Sequence, residues 1–263
     1  MSVKIPFFKY QGAGNDFVLI DNRNGDFDAN NHELVAKMCD RRFGIGADGL
    51  MLLEEGNNDG ETTDFTMVYF NADGQIGSMC GNGGRCIVAF ARDLEIIAEN
   101  TVFMAVDGIH HASIEGNQVK LGMIDVDHFE KDGDAYILQT GSPHYVDFVK
   151  ELAQVDVYQA GYAIRNNTTY AKDGINVNFV EKEGDAYFCR TFERGVEDET
   201  FACGTGATAV AMAVALKENR EGHQDIPIRV LGGQLRISFD KQDQKFRNVF
   251  LHGPAQQVFR GEF

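Results

Sequence analysis

Two cysteines in this chain stand directly before a Gly-x-Gly: Cys80 in MCGNGGRC, Met79 to Cys86, and Cys203 in ACGTGATA, Ala202 to Ala209. A helix that begins at a Gly-x-Gly presents backbone N–H groups and the positive end of its dipole. A thiol at such an end has its thiolate stabilised, which makes it a base or nucleophile at neutral pH. A free cysteine can also simply pack as a small apolar residue, but two in matching contexts favour chemistry. One thiolate could remove a proton from a carbon while the other thiol delivers a proton to the opposite face. That inverts a stereocentre. A substrate carboxylate held at the helix ends would have its developing charge met by fixed N–H dipoles. The scheme needs no cofactor.

The elements that must position these thiols are mostly short strands broken by Gly, Asn and Asp: IPFFKYQG, DFVLIDN, GLMLLEE, DFTMVYFN, VKLGMI, YILQTG, HYVDFV, INVNFVEK, DAYFCRTFERG, IRVLGGQLRISFD and NVFLHGP. Three segments are predicted as helices of length. The first is HELVAKMCDRRFG, capped by Asn31 and closed by Gly44. The second starts at the first Cys-Gly motif and runs through RCIVAFARDLEII. The third, GTGATAVAMAVALKEN, is apolar on every side from Ala207 to Leu216 and must therefore be enclosed by other elements.

The approaches to the two motifs also correspond. The strand TMVYF, then Asn71 and an acidic Gly turn, precede Cys80; YFCRTF, then Glu193, Arg194 and another acidic turn, precede Cys203. This pattern predicts an internal duplication of two similar lobes, each with a strand, a loop, a Cys-Gly-x-Gly and a buried helix.

Composition bounds the function. With 263 residues the chain can build one large or two ordinary domains, and its charge of −16 argues against a nucleic-acid or anionic-membrane partner. The N-terminus has no long apolar run followed by a small-residue cleavage site, and no apolar stretch is long enough to span a bilayer; a cytoplasmic protein is expected. Five cysteines, at 39, 80, 86, 189 and 203, make an odd count too sparse for a secreted disulfide scaffold, and none forms the C-x-x-C of structural zinc sites. No metal is expected.

A competing reading is a dinucleotide loop, since GIGADG, Gly44 to Gly49, and GTGATA fit its glycine spacing. The context is wrong for both. The fingerprint needs strand, loop, helix; a polar helical segment precedes Gly44 and a strand follows it, while the acidic loop EDETFAC precedes Gly204.

Taken together, GAGNDFVLID, DRRFGIGADG, FNADG with MCGNGGRC, the GSPH stretch, INVNFV, FERGVEDETFACGTGA, GGQL and HGPA resemble the diaminopimelate epimerases along the whole chain. The related proline racemases and hydroxyproline epimerases carry a His where Asn82 stands and an Asp-rich approach to the second cysteine. The resemblance implies an α+β fold of two pseudo-symmetric lobes, each a curved, mostly antiparallel sheet rolled around a central helix. The active site is expected in the cleft between the lobes. The lobes are placed at 1–124, with 254–263 returning to the first, and at 125–253.

The resemblance further implies cofactor-independent interconversion of LL- and meso-2,6-diaminopimelate, with Cys80 and Cys203 as the acid–base pair. Gly81 with Asn82 and Gly204 with Thr205 would supply helix-end N–H groups to the reacting carboxylate. Asn15, Asn71, Asn176 and Arg194 would grip the distal centre, Arg194 through its forked donors. His144 and Glu193 would assist proton handling, and Glu193 would also touch substrate. Two positions depart from the family pattern: Ser142 stands where many members have Asn before Pro-His, and Gly49 where many have Gln. Ser142 keeps a hydroxyl that can reach the distal carboxylate. A homodimer is compatible with the sequence, which does not set the oligomeric state. Two other classes are weighed against this one: an isomerase or dehydratase of the same fold acting on another acid, and a non-enzymatic amino-acid-binding protein.

Overall fold

The computed structural model describes residues 4–56 and 62–263. Residues 1–3 and 57–61 of the span assigned to the first lobe lie outside the described residues. The chain divides into two compact units, Met1–Leu121 with Gly253–Phe263, and Gly122–His252.

The first unit opens with β1 (Pro6–Gly12) and β2 (Asn15–Asp21), followed by α1 (His32–Cys39), β3 (Gly49–Glu55), β4 (Phe65–Asn71), α2 (Gly81–Asp93), β5 (Asn100–Ala105), β6 (Gly108–Glu115) and β7 (Gln118–Gly122). The second has β8 (Glu130–Asp132), β9 (Ala135–Gln139), β10 (Pro143–Phe148), α3 (Val157–Arg165), β11 (Asn176–Glu183), β12 (Ala186–Glu193), β13 (Asp198–Thr200), α4 (Gly204–Lys217), β14 (Gly222–Val230), β15 (Gly233–Gln242) and β16 (Lys245–Pro254). The chain ends in β17 (Gln256–Glu262), which pairs antiparallel with β1 in the first unit.

The pairing pattern repeats between the units. In the first, β1–β2 is antiparallel, β2–β3 parallel, β3–β4 antiparallel, β4–β5 parallel and β5–β6–β7 antiparallel. In the second, β9–β10 is antiparallel, β10–β11 parallel, β11–β12 antiparallel, β12–β14 parallel and β14–β15–β16 antiparallel. Parallel neighbours cannot be joined by a tight turn and need a crossover, usually a helix. Each parallel step here has one: α1, α2, α3 and α4 in turn. The fold is α+β with a mostly antiparallel sheet pattern, as the sequence predicts.

The helix α3 corrects the expectation of three helices. Its sequence VYQAGYAIR hides it, because Gly161 and the β-branched and aromatic residues are weak helix formers. Asp156 caps it, accepting from the Gln159 N–H at 3.0 Å. Gly161 is required by packing, since a Cβ there would collide with Phe192.

Two predicted helices are also shorter than expected. Asn31 caps α1 as predicted, accepting from Leu34 N–H at 3.1 Å, but α1 ends at Cys39 rather than Gly44. The Asp40 carboxylate takes the N–H groups of Arg42 and Phe43, both at 2.7 Å, and diverts the chain into a turn. The helix α2 ends at Asp93, and Glu95 lies in the left-handed region at φ 59°. Among the strands, β5, β6, β8, β13 and β17 are absent from the sequence reading. IRVLGGQLRISFD is two strands, paired Val230↔Gly233 across a two-residue turn.

The helices α2 and α4 are buried along most of their length. The first packs against β1, β2, β3, β6 and β17, and the second against β9, β10, β11, β12, β14 and β15. No helix among the described residues is long and apolar enough to cross a membrane.

Candidate active site

Cys80 and Cys203 are the N-caps of α2 and α4, with nearly identical extended backbones: φ −115°, ψ 120° for one and φ −117°, ψ 113° for the other. The first intrahelical bonds run from Gly84 N–H to Cys80 O at 2.7 Å and from Ala207 N–H to Cys203 O at 2.9 Å. The N–H groups of 81–83 and of 204–206 therefore precede the helical ladder and face out of the helix end. The second glycine of each motif has a packing reason. A Cβ at Gly83 would come within 2.5 Å of Met51 Cε, and one at Gly206 within 2.5 Å of Asn178 Oδ1. Glycine lets each first helical turn lie directly on its sheet.

In the first unit, β2, β3 and β4 are registered Phe17↔Gly49↔Asn71, and Met51 pairs with Tyr69. Asn15 accepts at Oδ1 from the Asn82 amide and donates from Nδ2 to Asp48 Oδ2 at 2.8 Å. Arg41 ties Asp48 to Asp16, each at 2.6 Å, and Lys9 holds Asp16 from the other side at 2.6 Å. These ion pairs hold the Asp16 carboxyl below its ordinary range against the opposing effect of burial. Arg85 Nη2 donates to Asn82 Oδ1 at 3.0 Å. Asn15 and Asn82 are thus fixed from both sides. Asn71 ends β4, and its side chain is exposed. At Gly49 a side chain has no room: its Cβ would lie 2.5 Å from the Tyr69 ring.

In the second unit, β10, β11 and β12 are registered His144↔Asn176, Val146↔Asn178 and Asn178↔Thr191. His144 is wholly buried, and desolvation, reinforced by the charge of Arg194, pushes its pKa down to about 3. It is a neutral imidazole. Asn178 Nδ2 donates to Tyr145 O at 3.0 Å while its Oδ1 accepts from Thr191 Oγ1 at 2.9 Å, so the amide orientation is fixed. The same Nδ2 lies 3.2 Å from His144 Nδ1, which must accept, and the imidazole proton therefore sits on Nε2. Nε2 lies 2.9 Å from Thr205 Oγ1 and 3.0 Å from Ser142 Oγ. Thr205 Oγ1 is in turn 3.4 Å from Cys203 Sγ. With its lone pairs facing an imidazole N–H, the Thr205 hydroxyl has its hydrogen available to the sulfur or to Ser142 Oγ, 3.2 Å away.

The structure thus brings Ser142, His144, Asn176, Thr205 and Cys203 together. Asn176 donates to Ser142 Oγ and to Pro143 O, both at 3.1 Å, and accepts the Arg194 backbone N–H at 2.8 Å. Its amide thereby fixes the Ser142 loop and the turn after β12. Thr140 Oγ1 donates to Thr205 O at 2.8 Å and ties that loop to α4. Glu193 is the last residue of β12, as Asn71 is of β4. The Arg194 guanidinium donates to Asp173 O at 3.0 Å and the residue is exposed.

Sequence reasoning missed Asp48, Arg85, Thr140 and Asn178. Asn178 had a signal, a polar residue inside the apolar strand INVNFV; the others follow only from long-range register. Burial pushes the thiols of Cys39, Cys86 and Cys189 up to about 12, so they stay protonated. Among the described residues no group of His, Cys, Asp and Glu side chains is arranged to hold a metal ion.

Residues 7–133 and 136–258 match the family model described as diaminopimelate epimerase. The diaminopimelate epimerase of Flavobacterium psychrophilum is 50% identical, covering 96% of this chain and 97% of its own. That of Chlorobaculum tepidum is 44% identical, covering 95% and 98%. Among solved structures, a phenazine biosynthesis protein of the PhzF family from Bacillus anthracis superposes with a TM-score of 0.78 over 99% of both chains at 14% identity, which marks a shared fold.

Proposed function

The chain belongs to the diaminopimelate epimerase family, and from that premise we propose that it interconverts LL- and meso-2,6-diaminopimelate by a two-thiol, cofactor-independent mechanism. The reaction supplies lysine and peptidoglycan precursors. The observation that carries the reading is the matched pair of N-caps: Cys80 and Cys203 stand in the same backbone conformation at the N-termini of two buried helices.

In this mechanism one cysteine, as thiolate, takes the α-proton while the other, as thiol, gives a proton to the opposite face. The N–H groups of Gly81 and Asn82, and of Gly204 and Thr205, meet the charge that develops on the α-carboxylate. Neutral His144 works through Thr205: its Nε2–H holds the hydroxyl oxygen, and the hydroxyl hydrogen stabilises Cys203 as it becomes a thiolate. Glu193 assists proton handling. Asn15, Asn71, Ser142, Asn176 and Arg194 hold the distal amino and carboxylate groups. At Ser142 the shorter side chain brings a hydroxyl already oriented by Asn176, and at Gly49 the Tyr69 ring fills the space where other members carry a longer side chain. The enzyme is read as cytoplasmic, with a homodimer as the assembly to test by sedimentation.

Purified protein mixed with LL-diaminopimelate should generate the meso isomer without added cofactor. Cys80→Ala and Cys203→Ala should each abolish this while retaining the native circular dichroism spectrum. Binding of diaminopimelate, seen as a rise in melting temperature, without isomer formation would favour a binding protein instead.

A further inference from the structure

The two helix ends differ at one matched position. Five residues after Cys80 stands Arg85; five residues after Cys203 stands Thr208. Both reach back to the same place in the helix: Arg85 Nη1 lies 3.3 Å from Gly81 O, and Thr208 Oγ1 donates to Gly204 O at 2.9 Å. One position holds a cation and its counterpart a neutral hydroxyl.

Arg85 is wholly buried. Its contacts are to neutral acceptors: Asn82 Oδ1 at 3.0 Å, Gly81 O at 3.3 Å and Pro254 O at 3.4 Å. Among the described residues it forms no ion pair with a carboxylate. A buried charge without a counter-charge is strongly unfavourable. The neighbouring carboxylates are already engaged, Asp16 by Lys9 and Arg41, and Asp48 by Arg41. The groups whose negative charge would favour the guanidinium are the thiols of Cys86 and Cys80. Burial keeps Cys86 protonated. Cys80 caps the helix that carries Arg85 and is partly exposed. Cys203, by contrast, has the Thr205 hydroxyl 3.4 Å from its sulfur, with neutral His144 behind that hydroxyl.

We propose that Arg85 is a positioning residue that holds Cys80 as the resting thiolate, so that Cys203 rests as the thiol. The proton lost by Cys80 goes to solvent. The resting enzyme then takes as substrate the isomer whose α-hydrogen is presented to Cys80, and each turnover leaves the opposite protonation pattern to be reset. This rests on the two-thiol reading above but fails separately from it, since the cysteine-to-alanine activities test that reading alone.

The experiment is alkylation of the whole protein with substoichiometric iodoacetamide from pH 5 to 10, followed by peptide mass spectrometry. Each cysteine's rate is normalised to its own high-pH plateau, so that differing access does not matter. In the wild type the midpoint for Cys80 should lie below that for Cys203. In Arg85→Gln the Cys80 midpoint should rise by about one pH unit or more, with Cys203 unmoved, and Arg85→Lys should restore it to within a few tenths of a unit. A Cys203 midpoint at or below that of Cys80 in the wild type overturns the proposal even if Arg85→Gln does not fold. So does a folded Arg85→Gln protein whose Cys80 profile is unchanged.

Discussion

Asn178 fixes the tautomer of His144: its Nδ2 lies 3.2 Å from His144 Nδ1 and is committed as a donor by Tyr145 O. Asn178→Asp puts an acceptor where that donor stands, so Nδ1 must carry a proton. Nε2 then loses its role as the sole protonated nitrogen, and the Thr205 hydroxyl is no longer directed at Cys203. We expect a roughly tenfold or larger fall in kcat, with KM changed less. Nitrogen-15 spectra of the imidazole should show Nδ1 converting from acceptor to donor; an unchanged spectrum in a folded, slow variant would mean that Asn178 acts by packing alone.

The buried neutral state of His144 also has a signature in stability. An unfolded histidine gains its proton near pH 6.5, whereas folded His144 does so only near 3. Between these values the unfolded chain binds one more proton than the native state, so stability is intact above pH 6.5 and is lost as pH falls. The slope from this one group is about 1.4 kcal/mol per pH unit. Urea unfolding at pH 6 and pH 4 should therefore show a smaller loss of stability for His144→Gln than for the wild type. Equal losses would contradict a buried neutral imidazole.

Gly206→Ala probes the close approach of α4 to its sheet. The new methyl would meet Asn178 Oδ1 at 2.5 Å and Cys203 Cβ at 3.2 Å. Something must move, at a cost of about 1–3 kcal/mol, and the groups that move are those that orient His144 and the thiol. Activity should fall further than the loss of folded protein accounts for. Normal kcat in the folded fraction would show that the first turn of α4 tolerates displacement.

Much of this was legible in the sequence for physical reasons. Cys80 and Cys203 announce themselves because few residues combine a titratable thiol with a glycine-opened helix, and α4 because an all-apolar helix has to be enclosed. Asn71 and Glu193, each the last residue of a strand, were matched from sequence by their distance to the cysteine. What stayed hidden depends on tertiary context. The crossover helix α3 is carried by packing against Phe192 rather than by propensity. The hairpin of β5 and β6 turns on Val106–Asp107, with Gly108 at φ 125° opening β6, a two-residue connection easily lost among short strands. The roles of Asn178 and Arg85 required knowing which atoms lie within hydrogen-bond reach. In sequence, an Asn in a strand and an Arg in a helix are unremarkable.

The two-thiol mechanism predicts where deuterium goes. In heavy water both thiols exchange before substrate binds, so the cysteine that serves as acid carries deuterium while the thiolate carries none. The substrate's α-proton passes to the base, and the product receives deuterium from the opposite face. If the captured proton exchanges slowly with solvent in a site that excludes water, reversal returns that same proton. At about a tenth of conversion, product should be almost fully deuterated at the α-carbon and recovered substrate almost free of deuterium. A single base serving both faces would carry protium into product or, with fast exchange, place deuterium in both pools. Mass spectrometry of the separated isomers distinguishes these outcomes, and equal early labelling of substrate and product would remove Cys80 and Cys203 from separate acid and base roles.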